Sequence, residues 1–535
     1  MFSKKSYINF IAHNKKFFLE KKKSKKQNII LLEFNNFSIF HLLSSYYVNL
    51  LSKKYFARIL AYPSHVLLSY PLRKNIFEKI KWTLGSLFSL RNFGIYKSFN
   101  VDKFLSFKNN SSYENKANNK IIFLKKKIVN RQQILNIKIE NILIGDLIYD
   151  TYLKSRYDPE PTINFPNDDF FLFLKDFLLY FYFLKDFFDE NRVKALVVSH
   201  NVYSLAIPVR IAISKNIEVF LLRENKIKRL NKLNYLTNSE CKYYKKWFKK
   251  IPTKKRINFI KEAKKCLLDR LSGKYSSHTS YMTKSAFSKN NSYKNILTTS
   301  KNFKILIAPH DFVDAPHIYG NFIFSDMYQW LKFLANFSKT SSEDWYIKIH
   351  PRMKEPWSFY QDYTKKVVLE LIKNSKIKWI DPDTSHNEII KQGIDCVLTV
   401  HGTIAHEYAL MNKLVINANP NNPHHNYKFN YHISTIEDYK KKLKKIKNLK
   451  KKINKKKIYE FYFMHYIYLT ENCFFKDYSD FLRSLGNYHD QWSDKVYDYW
   501  LNNFNEDLHI QTIKKCSNYI FKNDLVYSIN NNEKH

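Results

Sequence analysis

A chain of 535 residues is too long for one ordinary hydrophobic core, and its 44% hydrophobic content is enough to fill two. Lys+Arg 90 against Asp+Glu 47 leaves a formal charge of +43, which points to nucleic acid, an anionic membrane or a phosphorylated ligand. Glycine at only 8 residues, beside abundant lysine, asparagine, phenylalanine and tyrosine, attributes part of that charge to coding drift. The 5 cysteines (Cys241, Cys266, Cys396, Cys473, Cys516) stand singly with no CxxC pair, which excludes a disulfide framework and predicts reduced thiols in a cytoplasmic protein.

Residues 1–27 are a basic leader whose apolar pieces are too short for a signal-peptide core. Residues 28–224 read as a first parallel α/β domain: "NIILLEF" is a strand, "SIFHLLSSYYVNLLSKK" has helical spacing, and "FARILAY" is a second strand. Between 170 and 188, "FFLFLKDFLLYFYFLKDFF" is an amphipathic helix with Lys175, Asp176, Lys185 and Asp186 on one polar strip. Its apolar side fits the core, with an interfacial membrane contact as the alternative. "VKALVVSHNVYSLAIPVRIAISKNIEVFLL" supplies a further strand, helix and strand. Residues 225–300 are a basic helical and polar connection, 301–436 a second strand–helix series, and 437–535 a helical, aromatic-rich tail that packs back on the body. The lysine run at 439–457 reads as a solvated helix face.

In a doubly wound sheet, ligands bind outside the carboxyl ends of the strands. The polar residues of the second half gather there: His310, Asp311, Asp314 and His317 after "FKILIAP", His350, Pro351 and Arg352 after "WYIKI", Asp381 and Asp383 after "IKWI", and His401, Gly402 and Thr403 after "CVLTV". Gly402 and Thr403 open a helix whose free N–H groups and dipole suit a phosphate ester, with Glu407 one turn on and in reach of a ribose hydroxyl. Asn412 falls at a left-handed C-cap. His350 with Pro351 is expected to stabilise a leaving phosphate, a plain strand-end turn being the other reading. Asp381-Pro382-Asp383 imitates the DxD of metal-dependent transferases but reads as a turn ahead of the "SHNE" capping box. His310 and His317 match no compact zinc spacing, so no metal is expected. Glu33, His41, Asp146, Asp150 and His200 follow or end apolar segments of the first half and are candidates for an acceptor face.

The ordered series "HDFVDAPHIYGNFIFSDMYQWL", "DWYIKIHPR", "VHGTIAHEYALMNKLVINANPNNPH" and "FYFMHY", with "IENILIGDLIYDTYL" and "LVVSHNVY" upstream, resembles bacterial capsule and surface-polysaccharide biosynthesis proteins of the GT-B kind. It is similar in outline to the Kdo-transferase-like capsule proteins and more distantly to CDP-glycerol glycerophosphotransferases. The resemblance spans most of residues 28–480. It implies two Rossmann-like domains facing across a cleft, 28–224 holding a glycan or lipid-linked acceptor and 301–436 a nucleotide sugar, CMP- or UDP-linked. Carried over by position, His350, Pro351 and Arg352 sit near the donor phosphate, and His401, Gly402, Thr403 and Glu407 hold phosphate and ribose. His401 stands where relatives often carry serine, and Asn412 where glycine is usual. The implied activity is metal-independent glycosyl transfer without a cofactor. Asp311, His310 and His350 are the catalytic choices, and Asp314 and His317 contact sugar or acceptor. The setting is cytoplasmic, with a basic surface suited to the inner face of an anionic membrane and with nucleic acid not expected. A nucleotide-sugar 2-epimerase and a non-catalytic basic binding protein remain the alternatives.

Overall fold

The structure is a computed structural model that describes residues 4–19, 27–64, 76–107, 110–164, 168–223, 226–237, 239–274, 282, 284–288, 295–351, 353, 358–468, 474, 478–486 and 488–521. The chain divides into two compact units. Met1–Ser155, Phe165–Tyr235 and Leu469–His535 make the first, and Arg156–Asn164 and Leu236–Tyr468 the second.

The first unit is built on the parallel strands β1 (Asn28–Phe34), β2 (Ala57–Pro63), β3 (Val101–Phe104), β6 (Val193–Val198) and β7 (Glu218–Arg223), with β8 (Lys226–Leu230) pairing antiparallel to β7. A two-stranded hairpin, β4 (Lys138–Ile139) and β5 (Ile142–Leu143), stands apart. The main sheet runs β3-β2-β1-β6-β7-β8. The second unit carries β9 (Lys304–Ile307), β10 (Asp344–Ile347), β11 (Ile377–Trp379), β12 (Cys396–Thr399), β13 (Leu414–Asn417) and β14 (Tyr431–His432), all parallel in the order β11-β10-β9-β12-β13-β14. Both sheets follow the doubly wound order 3-2-1-4-5-6, so each unit is Rossmann-like. Parallel strands are covered on both faces and need near-continuous apolar runs. "NIILLEF" obeys this, with its five central residues buried, and so do "KILI", "CVLT" and "LVIN", buried throughout.

The unit boundaries differ from the sequence-based ones because strand pairing and core packing override local composition. β8 belongs to the first sheet, although the expected break fell before it. The leader contributes a helix, Lys4–Phe18, whose Phe10 is buried and stacks on Tyr497 with ring centroids 4.3 Å apart. The expected tail is shared: its part up to Tyr468 belongs to the second unit, and the remainder completes the first unit's core with Phe474, Phe481, Val496, Trp500 and Ile520.

The aromatic helix Asp168–Glu190 takes the core alternative. Phe173, Leu174, Phe177, Leu178, Phe181 and Leu184 are buried, and the polar strip meets neighbouring charges, Lys175 to Glu114 at 2.7 Å and Lys185 to Glu140 at 2.9 Å. Among the described residues no helix is long and apolar enough to cross a membrane.

A candidate ligand site at the switch point of the second sheet

β9 lies between β10 and β12, and the strand order reverses at the β9/β12 pair. Ligands of open parallel sheets bind in the crevice beyond the carboxyl ends at such a point. Leu306 of β9 pairs with Tyr346 of β10 and with Val397 of β12. Side chains along a strand return to the same face every second residue. Four residues beyond that row each chain therefore presents a histidine: His350, His310 and His401. The rings of His310 and His401 are 4.6 Å apart between centroids, and Tyr319 stands edge-on to His401 at 5.2 Å. Two residues nearer the sheet the same row reads Lys348, Ala308 and Thr399. The Thr399 hydroxyl donates to the His401 carbonyl at 3.0 Å, which turns the chain at the strand end.

Burial disfavours the charged forms of Lys348, His350 and His401 in this row. His401 is 4% exposed, and neither ring nitrogen has a hydrogen-bond partner among the described residues. Burial, reinforced by His310 and His317, holds its pKa well below the ordinary imidazole value. Burial, then His310 and Lys348, pushes His350 down to about 3. Lys348 is 2% exposed with no partner for its Nζ among the described residues, and burial lowers it to about 7 against the opposing pull of Asp383 and Asp381. With its pKa at about 3, His350 is neutral at physiological pH, which leaves the proton-donating form of its expected role toward a leaving phosphate.

Gly402 is exposed and adopts φ +134, a backbone region that only glycine enters without strain, although a Cβ there would meet nothing within 4 Å. Thr403 precedes the short helix Ile404–Leu410 without capping it through its side chain, and Asn412 takes the left-handed conformation at φ 61. Glu407 departs from its expected role. Its Oε1 accepts from Arg270 Nε at 2.9 Å in a pair whose side chains are 6% and 4% exposed, so the carboxylate is committed to a buried guanidinium. Arg352 lies outside the described residues, and Pro351 is buried at the strand-end turn.

The loop after β9 divides its groups. Asp311 accepts from the Val313 N–H at 2.9 Å and from the Thr364 hydroxyl at 3.3 Å, which holds it to its own turn and to the helix Ser358–Ile372. Asp314 is exposed. His317 is 1% exposed and its Nε2 bonds the Ser325 carbonyl at 2.9 Å, so it braces the loop and is withdrawn from any sugar contact. Asp383 N–H donates to Asp381 Oδ1 at 2.8 Å, the turn expected of Asp-Pro-Asp, and Asp383 reaches Lys284 at 3.5 Å. Ser385 caps the helix His386–Lys391 by accepting from the Asn387 N–H. Among the described residues no His, Cys, Asp and Glu group has the geometry to hold a metal ion.

The first unit has its own switch point, between β1 and β6. Glu33 and His200 gather there around Ser199: Glu33 accepts from the Ser199 N–H at 2.7 Å and from its hydroxyl at 2.6 Å, and the same hydroxyl meets His200 Nδ1 at 2.6 Å. Glu33 is fully buried and therefore ties two strand ends together, which leaves His200, half-buried, as the group at the crevice. His41, Asp146 and Asp150 are removed from an acceptor face by burial. His41 bridges Tyr497 at 2.6 Å and the Asn35 carbonyl at 2.9 Å, and Asp146 pairs with Arg210 at 2.5 Å. The sequence reading missed Lys348, Arg270, Ser199 and Tyr319. Of these only Lys348 carried a local signal, a lone lysine inside a run otherwise buried.

No protein-family description matches the chain, and no curated protein matches it. Solved structures overlap at low similarity. UDP-GlcNAc 2-epimerase from Neisseria meningitidis is 10% identical at TM-score 0.23, covering 81% of this chain and 94% of that one. A glycosyltransferase from Rickettsia africae is 12% identical at TM-score 0.21, covering 94% and 100%. MurG from Acinetobacter baumannii is 8% identical at TM-score 0.20, covering 82% and 94%. Overlaps at this level carry no argument about activity, and the architecture rests on the strand order of the two sheets.

Proposed function

We propose that the chain is a GT-B-type glycosyltransferase that moves a sugar from a nucleotide-activated donor to a growing capsular or lipopolysaccharide-type surface glycan. The observation that supports this reading is the convergence of His350, His310, His401, Gly402 and Thr403 on one switch-point crevice. In the proposed reaction an acceptor hydroxyl attacks the anomeric carbon, and the bond from that carbon to the donor phosphate breaks with its electron pair leaving on the phosphate oxygen. His310, half-buried and adjacent to Asp311, takes the hydroxyl proton, while His350 and His401 donate hydrogen bonds to the leaving phosphate. Asp311 orients His310 or the sugar from its turn. The reading calls for no metal and no cofactor, only the nucleotide sugar as substrate.

The acceptor, glycan or lipid-linked, is assigned to the first unit, and the protein to the cytoplasmic face of the membrane as a peripheral partner. What supports a membrane surface is the helix Ile76–Phe88, which leaves Ile80, Leu84, Leu87 and Phe88 exposed beside exposed Lys81. Cosedimentation with anionic vesicles at low salt, weakened by Leu87→Ser/Phe88→Ser, tests that part, and no cosedimentation sinks it.

The donor assignment is tested by thermal shift with UDP, CMP and their sugars on wild type and on His401→Gln. A shift in wild type that shrinks in the variant, followed by sugar transfer to a supplied glycan, is expected. A product epimerised at C2 without any acceptor redirects the reading to an epimerase, and no shift with any nucleotide refutes it.

A further inference from the structure

Lys348 and His401 follow the ends of β10 and β12, the two strands that adjoin β9, and each is a buried nitrogen base for which the described residues offer no hydrogen-bond partner. Such a group costs stability unless something pairs with it. Two of them at one strand-end crevice, with His310 and His350 completing the row, is an arrangement that a ligand would relieve.

The surrounding charges decide what ligand that is. From the loop after β9 come His310, Asp311, Asp314, His317 and Tyr319. From the loop after β11 come Asp381 and Asp383; from the helix Thr253–Leu271, Arg270; from the helix Ile404–Leu410, Glu407; and from the helix His386–Lys391, His386. The acids among them are already engaged. Asp311 accepts from Val313 and Thr364, Asp381 from the Asp383 N–H, Asp383 is paired with Lys284, and Glu407 with Arg270, while Asp314 is exposed. His386 is bonded to the Tyr408 hydroxyl at 2.8 Å. A cation entering here would find three imidazoles and an amine, with every nearby acid spoken for or solvated. An anion would find donors, provided that the bases acquire protons.

We infer that His350 and His401, backed by Lys348, bind the anionic part of the ligand by taking up protons from solvent as the ligand arrives. In the free crevice, burial and the repulsion of neighbouring bases lower Lys348, His350 and His401 and so disfavour their protonated forms. A phosphate or other dianion placed among them reverses both effects, because an opposite charge within a few ångströms favours the protonated form. An imidazole that accepts a proton offers two N–H donors where it had one. Binding and protonation are then linked, and affinity rises as pH falls by up to about tenfold per pH unit for each proton taken. The inference rests on the crevice being the donor site and adds how that site generates its charge.

The test is calorimetric titration of the full chain with UDP-N-acetylglucosamine, a CMP-activated sugar and sulfate, anions that do not themselves titrate between pH 6 and 8. Each titration is run in two buffers of different ionisation enthalpy. Sulfate separates recognition of a bare anion from recognition of the nucleotide. The expected result is buffer-dependent heat corresponding to uptake of about 0.5–1 proton or more at pH 7, affinity that weakens toward pH 8, and a smaller uptake in His401→Gln. The wild-type measurement decides even if that variant folds poorly. Binding with identical heats in both buffers and no pH dependence overturns the inference and leaves the nucleotide-sugar reading in place. Failure of every probe to bind between pH 6 and 8 overturns both.

Discussion

Replacing Glu407 by glutamine separates two roles for the same carboxylate. The Arg270–Glu407 pair is buried, at 2.9 Å, with the guanidinium also over the Phe287 ring at 5.6 Å. Glutamine keeps the shape and an acceptor oxygen but leaves the guanidinium charge uncompensated. Breaking a buried pair from one side costs about 3–5 kcal/mol, whereas replacing both partners by apolar residues of similar size is far less costly. At roughly 2–4 °C per kcal/mol for a unit of this size, Glu407→Gln is expected to melt roughly 6–20 °C below wild type, and Arg270→Met/Glu407→Met well above Glu407→Gln. Scanning calorimetry on the three proteins gives the coupling directly. If Glu407→Gln melts within about 1 °C of wild type, the pair is not structural and the carboxylate returns to the ligand as a ribose partner.

Acid should weaken the first unit through His41. Its buried ring is pushed down to about 4 in the folded protein, below the ordinary 6.5 of the unfolded chain, so the unfolded state binds more protons below pH 6.5 and stability falls as pH drops toward 4. The full effect is about 3 kcal/mol, read as the slope of urea-unfolding free energy against pH, and His41→Gln is expected to flatten that slope. Lys348→Met should stabilise the second unit at pH 7 by up to about 4 kcal/mol, since the amine's folded value of about 7 lies below its unfolded 10.5; wild type should close the gap as pH rises toward 10. An unchanged midpoint in Lys348→Met would show that the amine finds a partner in solution. Gly145→Ala puts a Cβ 2.1 Å from the Ile134 carbonyl oxygen, a backbone atom that cannot swing aside, and is expected to cost about 1–3 kcal/mol, checked by chemical denaturation.

Strands buried on both faces declare themselves in sequence as short apolar runs, and for that reason β1, β6, β9, β10, β12 and β13 were readable without coordinates. Their polar followers were readable too, so His310, His350, His401, Gly402 and Thr403 could be assigned to one rim. Alignment of the three histidines was not, because it depends on register between strands separated by tens of residues. The partner of Glu407 was hidden for the same kind of reason: Arg270 is 137 residues away, in a helix read as part of a basic connection between domains. His317 and His41 had the residue types of ligands, but their bonds to Ser325, Asn35 and Tyr497 are long-range or loop-internal and leave no trace in local spacing.

The last third of this polypeptide is divided between two cores, and the first of them is closed by Phe474, Phe481, Val496, Tyr497, Trp500 and Ile520. Emergence from the ribosome runs from the amino end at about 5–20 residues per second. The segment up to Tyr468 that completes the second unit is therefore exposed before the segment that completes the first. During synthesis the amino-terminal sheet must wait, part of its apolar face uncovered, while the unit made after it can already close. The unit that begins first is thus the last whose core can be completed, so its earliest residues are the ones that wait longest for their packing partners.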